Sequence, residues 1–241
     1  IQYAVSQQTY GLDERGLKIM VSDRVIRNAD RPLSPLEDGA KILANQLTLN
    51  RAKAISDYAT TTGNYTNSET LAGADQWSDQ NSSPLDAIRT QAATIELAVG
   101  RWPEVFAMGR LTWLDLLKHQ DIADVIASTS DKTPDAMMAA LAAQLMVDEV
   151  IVMTESYTSS NRGQTDAFTR VWADDAALIV RDPAPTTMSV QFGAWMIQRG
   201  QKFATRRWRS EERRAWVVEV RITDDIEQIA AGAGYLWKDT N

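Results

Sequence analysis

One histidine, three adjacent carboxylate pairs, a short run of small residues and an arginine-rich stretch are the places in this 241-residue chain where side-chain chemistry could concentrate. His119 stands in LLKHQD, near the expected end of a helix, where an imidazole sits comfortably beside the carbonyl terminus. A helix-end role therefore outweighs a place in a Ser-His-Asp constellation. With no cysteine and no second histidine, neither thiolate chemistry nor a His-rich metal site is expected, and no cofactor is implied. Asp174-Asp175, Glu211-Glu212 and Asp224-Asp225 could in principle act as acid and base or hold a divalent cation. Neighbours on a strand point to opposite faces, so each pair reads instead as solvated turn charge. Gly232-Ala233-Gly234 lacks the third glycine and the following helix of a dinucleotide fingerprint, and fits a strand that needs close backbone approach.

The stretch Arg199 to Arg221 is different in kind. It carries eight basic residues (Arg199, Lys202, Arg206, Arg207, Arg209, Arg213, Arg214, Arg221) against three acidic (Glu211, Glu212, Glu219), a local net of +5 in a chain of net charge −7. Trp208 and Trp216 interleave with the arginines, a pattern found where single-stranded nucleic acid stacks on aromatic rings. The same cations could equally meet carboxylates of another protein surface, for which the guanidinium fork is well shaped. Taken whole, the acidic chain is unlike a protein whose main task is to coat nucleic acid, because such binding draws on many Lys and Arg contacts to phosphate.

The elements that would position these residues can be read from periodicity. Residues 1–30 alternate weakly, at Leu17, Ile19 and Val21, and read as extended, hairpin-like chain too poor in apolar residues to form a core alone. Ser34-Pro35 opens a long helix to Thr60, with Leu36, Ala40, Leu43, Leu47 and Ala54 on one stripe and Ile42, Leu49 and Ile55 on a second. Residues 60–83 are turns with brief strands expected around Tyr65 and Trp77. Ser83, read as a cap, and Pro84 begin an amphipathic helix through Leu85, Ile88, Ala92, Ile95 and Val99 that Gly100 and Pro103 end. A short strand at Glu104 to Met108 and a helix at Leu111 to Leu117 follow, joined through Gly109. Beyond them are a helix from Pro134, a strand at Val150 to Met153, a strand pair within Val171 to Val180, and two long strands, Met188 to Phe203 and Arg214 to Ile222, joined by a charged turn. Ile226 to Trp237 completes the chain. Apolar residues make up 44% of the whole, enough for a substantial core, and no apolar run approaches the ~20 residues of a membrane-spanning helix.

Within this pattern the wording SSPLDAIRTQAATIELAVGRWPEVFAMGRLTWLDLLKHQDIADVI resembles the middle of tailed-bacteriophage major capsid proteins with the Hong Kong 97-like fold. The matching positions are Gly100, Pro103, Val105, Met108, Gly109, Trp113, Leu117, His119, Ile122 and Ile126. Glu104 and Gln120 depart from it, standing where the family often carries Asn and Pro. Thr70 to Pro84 looks like the family's link out of its long helix, RVWADDAALIVRDPAPTTMSVQFGAW like its return path, and IAAGAGYLWKD like its last strand. The resemblance implies an α+β fold with an extended loop (residues 1–32), a peripheral domain on a long spine helix (33–83 and 184–225) and an axial domain (84–183 and 226–241).

It further implies a structural, non-enzymatic role: pentamers and hexamers of the chain tile an icosahedral shell around double-stranded DNA, without sequence-specific DNA contact, in a virion assembled in the host cytoplasm. Its partners would be other copies of itself and scaffold, portal or decoration proteins, with no membrane. On that view Arg199, Arg206, Arg207, Arg209, Arg213 and Arg214 are candidates for contact between subunits. An encapsulin-like nanocompartment shell, which shares the fold, and a nucleic-acid-binding module are the alternatives. Since the first residue is Ile1 and not a translation start, an arm or scaffolding segment upstream is also expected.

Overall fold

The computed structural model describes residues 11–30, 33–127, 133–160, 163–186, 189–198 and 203–241. In chain order the elements begin with β1 (Asp13–Ser22), α1 (Asp23–Arg27), α2 (Pro35–Thr60), β2 (Asn67–Thr70), α3 (Pro84–Val99) and β3 (Val105–Gly109). They continue with α4 (Arg110–Leu116), α5 (Gln120–Ala127), α6 (Pro134–Leu145), β4 (Glu149–Met153), β5 (Ser156–Thr158) and β6 (Phe168–Arg170). The last are β7 (Ala176–Ile179), β8 (Gly193–Ile197), β9 (Ala204–Ser210), β10 (Ala215–Gln228) and β11 (Gly234–Lys238). Contacts divide the chain into two compact units, residues 1–54 with 195–227 and residues 55–194 with 228–241.

The larger unit is built on a five-stranded mixed sheet in the order β2-β11-β7-β3-β4. β3 runs parallel to β4 and antiparallel to β7, and β11 runs antiparallel to β7 and parallel to β2. β3, read as VFAMG, is buried at every position, as a strand covered on both faces must be. Pro84 occupies the first turn of α3, and the helix buries Pro84, Leu85, Ile88, Ala92 and Ile95 along one stripe. Ser83, expected to cap it, makes no side-chain hydrogen bond there, so proline alone sets the start. Gly100 ends it at φ 73°, a left-handed conformation that costs glycine little. Thr133 caps α6 by accepting from the Ala136 N–H.

An aromatic cluster fills the interior of this unit. Trp237 on β11 packs against Trp77 at 5.6 Å and edge-on to Phe106 at 6.5 Å between ring centroids. Each such ring, wholly withdrawn from water, contributes roughly 1.5–3 kcal/mol relative to exposure. Trp77 and Tyr65 are therefore core residues in irregular chain, and the strand of this region lies between them at β2. Of the run Gly232-Ala233-Gly234, expected as strand, Gly232 and Ala233 lie in a short helical turn and only Gly234 is in β11, where a Cβ would lie 2.7 Å from Phe192, whose ring stacks on Tyr65 at 4.4 Å.

In the smaller unit the central strand is β10. It pairs antiparallel with β1 from Asp13↔Asp224 to Ser22↔Ala215, and with β9 from Ala204↔Arg221 to Ser210↔Ala215. Of the N-terminal segment, β1 is extended as expected, but residues 23–27 form the helix α1 and residues 1–10 lie outside the described residues; the partner of β1 is β10 near the other end of the chain and not a second arm of its own. β8 joins the C-terminal half of β10, where the Gln198 N–H donates to the Thr223 carbonyl. The single long strand expected from Met188 to Phe203 is accordingly β8, with Arg199 to Lys202 and Thr187 and Met188 outside the described residues. The charged turn instead joins β9 to β10. Leu43 and Leu47 of α2 meet Val220 and Ile222, with Leu17 and Ile19 beside them. Of the two stripes expected on α2 this is the buried one, while Ile42 is left 60% exposed.

Candidate assembly surface

The arginine-rich stretch forms the β9–β10 hairpin, and its register decides what each arginine faces. Because side chains alternate across a strand, Val220 and Ile222 put the even positions of β10 and the odd positions of β1 on the face packed by α2. Arg207 pairs with Val218 and so shares that face. Arg206 and Trp208 pair with Glu219 and Val217 and take the opposite one. Across the sheet, Lys18 and Met20 of β1 complete two rows on the opposite face, Lys18–Glu219–Arg206 and Met20–Val217–Trp208.

The candidate arginines separate into two groups. Arg209 is engaged within the chain, 3.0 Å from Asp23 and 2.7 Å from Glu211. Among the described residues, Arg206, Arg207, Arg213 and Arg214 meet no carboxylate and are exposed. Arg206 lies over the Trp208 ring at 5.4 Å and Arg207 over Trp216 at 5.3 Å, while Arg213 reaches the Met20 sulfur at 3.5 Å. Each interleaved tryptophan therefore has one ring face taken by an arginine of its own strand pair. Arg214 closes the turn at φ 45°. Arg199 lies outside the described residues.

Behind the α2 face a polar cluster fixes this sheet. Asp224, 1% exposed, accepts from Arg15 at 3.2 Å and from the Trp195 indole N–H at 3.0 Å. Arg51 of α2 lies 3.3 Å over the Trp195 ring, and burial lowers its pKa against the opposing pull of Asp224. Asp224 is thus a buried anchor and not the solvated turn charge its neighbour Asp225 suggested. Asp175 is also buried, bound to Lys238 at 2.9 Å in the larger unit. Burial pushes its carboxyl above the usual aspartate range, against the pull of Lys238. Only Glu211-Glu212 is the exposed turn pair expected. Among the described residues no group of three or more His, Asp or Glu side chains could hold a metal ion.

His119 also differs from expectation, being 1% exposed and at the start of α5 as well as the end of α4. Its carbonyl accepts from the Ala123 N–H at 2.8 Å and its Nδ1 from the Asp121 N–H at 3.3 Å, so the residue caps α5. With Nδ1 accepting, the neutral ring carries its proton on Nε2 and donates to Ser82 Oγ at 3.3 Å, and Ser82 donates in turn to the Asp79 carbonyl at 2.8 Å. Nδ1 is thus committed to the α5 backbone and Nε2 to the Ser82 hydroxyl. The sequence signal for this role was the Gln120-Asp121 that follows, an N-terminal helical turn that the expected helix end obscured.

The chain is similar to known proteins in both sequence and structure. It is 27% identical over 196 residues to the major capsid protein of Pseudomonas phage JBD67, covering 80% of this chain and 62% of that protein. The chain therefore spans about three fifths of the length of the curated relative it matches. A phage-related protein from Bordetella bronchiseptica RB50 superimposes with a TM-score of 0.78 at 21% identity, covering 96% of this chain and 77% of the other. The capsid of cyanophage P-SCSP1u does so with a TM-score of 0.58 at 8% identity, covering 99% of this chain and 79% of the other. No family model matches. The α+β architecture is the Hong Kong 97-like capsid fold implied by the sequence resemblance.

Proposed function

We propose that this chain is a major capsid protein that assembles, as pentamers and hexamers, into an icosahedral shell around packaged double-stranded DNA. The observation that carries the reading is the coincidence of two likenesses over most of the chain: sequence similarity to a phage major capsid protein across 80% of it, and a fold shared with a phage-related protein across 96% of it. In this reading residues 84–183 and 226–241 take the axial position, residues 33–83 and 184–225 the peripheral position with the spine helix α2, and residues 1–32 belong to the extended loop. Arg206, Arg207, Arg213 and Arg214 contact neighbouring copies, while Arg209 holds its own hairpin to α1. The role is structural and not catalytic, in keeping with a lone histidine whose two ring nitrogens are engaged by the Asp121 N–H and the Ser82 hydroxyl.

The packaged DNA is held without base-specific contact, and the shell belongs to a virion. Scaffold, portal or decoration proteins are its further partners. Electron microscopy of the purified protein tests the proposal: closed shells with five- and six-fold capsomers are expected, and DNA inside particles recovered from the native host identifies the cargo. A protein that stays monomeric at high concentration, or shells filled with an enzyme in place of DNA, would overturn it.

A further inference from the structure

We propose that the face of the β1–β10–β9 sheet turned away from α2 docks onto the acidic unit, residues 55–194 with 228–241, of a second copy of this chain. The inference rests on the shell reading and names the surfaces that meet. Charge carries it first. Residues 1–54 and 195–227 hold 16 basic against 12 acidic side chains, a net of +4, whereas residues 55–194 and 228–241 hold 9 against 20, a net of −11; together these return the −7 of the chain. Contact between two copies of the acidic unit sets like charge on like, and so does contact between two basic ones. The pairing of a basic unit with the acidic unit of the next copy is charge-matched. It is also heterologous, so repeating it builds a ring where the rotation closes and an open chain where it does not.

The composition of the face carries it further. At its centre Met20 is 48% exposed and Trp208 half-buried, with Val217 buried between them. Around this apolar row stand Lys18, Arg206 and Arg213, none of which meets a carboxylate among the described residues. Within its own unit, α2 packs on the other face, and α1 borders Trp216, which also belongs to that other face. Met, Trp and Arg around a small apolar centre are the residues that interfaces favour. The unpaired cations supply steering and register toward an acidic partner.

Zero-length carbodiimide coupling, which joins a lysine amine directly to a carboxylate, reads the contact through Lys18. Natural-abundance and nitrogen-15-labelled protein are mixed, assembled, cross-linked and digested. Mixed-isotope peptides joining Lys18 to Asp or Glu of residues 55–194 or 228–241 are expected. In parallel, the triple variant Lys18→Glu, Arg206→Glu, Arg213→Glu is expected to weaken self-association at low salt by at least about tenfold, where a charge-matched control at Arg24, Arg27 and Lys41 does not. Lys18 joined solely to carboxylates of residues 1–54 or 195–227, with the triple variant associating as the wild type does, overturns the docking. If shells form in that case, the capsid reading stands while this inference falls. The expected cross-link in a protein that forms small rings but no shell supports the docking and overturns the shell.

Discussion

Replacing Gly109 by alanine should unfold the larger unit's sheet more effectively than its single methyl group suggests. Gly109 has φ −72° and ψ 158°, a conformation open to any residue, so the effect is steric and not torsional. A Cβ at this position would stand 1.9 Å from the Ala173 carbonyl oxygen, 2.9 Å from its carbon and 3.1 Å from the Trp172 ring. An ordinary carbon–oxygen approach is about 3.3 Å, so one of the two segments must retreat by about 1.4 Å. Neither is free to do so. The Gly109 N–H donates to the Asp175 carbonyl at 3.0 Å, and Trp172 Nε1 donates to the same oxygen at 2.7 Å. Ser56 Oγ donates to the Val171 carbonyl at 2.9 Å and the Thr240 N–H to the Asp174 carbonyl at 2.9 Å.

A shift of that size breaks at least one of these buried bonds, at about 1–3 kcal/mol, and adds about 1–3 kcal/mol of overpacking. The expected loss is about 3–5 kcal/mol, or about 2 M in urea midpoint at a typical slope. Urea unfolding of unassembled subunits followed by tryptophan fluorescence measures it, since Trp113, Trp172 and Trp237 report from the same unit. Gly63→Ala is the control: a Cβ there meets nothing within 4 Å, and its midpoint should barely move. A Gly109→Ala midpoint indistinguishable from that of Gly63→Ala would refute the reasoning.

Other consequences are equally open to measurement. His119→Ala should destabilise by about 2–4 kcal/mol through the lost ring and α5 cap, whereas His119→Asn, which keeps an acceptor at the cap, should recover about 1 kcal/mol of that in thermal or urea unfolding. Asp224→Ala strands Arg15 and the Trp195 indole N–H and should cost about 2–3 kcal/mol, the half-exposed Arg15 limiting the loss; Asp224→Asn should cost less, because it can still accept from Trp195. Asp175 titrates above the usual aspartate range when folded, so its favourable contribution is complete below the unfolded pKa and is lost as pH rises through the higher folded value. The stability of the wild type relative to Asp175→Asn should therefore decline as pH rises from the ordinary aspartate range upward, and a rise would contradict the burial argument. Burial beside Glu69 likewise pushes the Tyr235 hydroxyl up to about 12, so ultraviolet titration should show that phenol ionising after exposed tyrosines.

Helices α2, α3 and α6 and strand β3 were legible because proline starts, glycine stops and apolar spacing are local signals. Gly100 shows this, since its left-handed conformation is what a glycine at that place announces. Gly109 was legible as a junction but not for the reason that matters: the carbonyl that excludes its Cβ comes from Ala173, more than sixty residues away. The partner of β1 lay beyond sequence reading for the same cause, as alternation at Leu17, Ile19 and Val21 marks a strand without saying which strand it joins. Adjacent carboxylates misled because exposure was judged from neighbours in sequence. Asp175 and Asp224 are drawn inside by Lys238 and by the Arg15–Trp195 pair, which sequence distance hides. In the arginine stretch, charge and aromatic spacing singled out the segment, but only the ion pairs with Asp23 and Glu211 separated Arg209 from Arg206 and Arg213, which meet no carboxylate among the described residues.

The buried cap at α5 has a practical use. A chain with one histidine gives one imidazole signal, and here that imidazole is 1% exposed with both nitrogens engaged. Its proton and nitrogen resonances form a single-site spectroscopic probe that needs no label chemistry or added tag. While α4 and α5 remain joined, the probe should report one tautomer and resist chemical acylation. Its sudden reactivity would time the local opening of that joint against the fate of the whole particle.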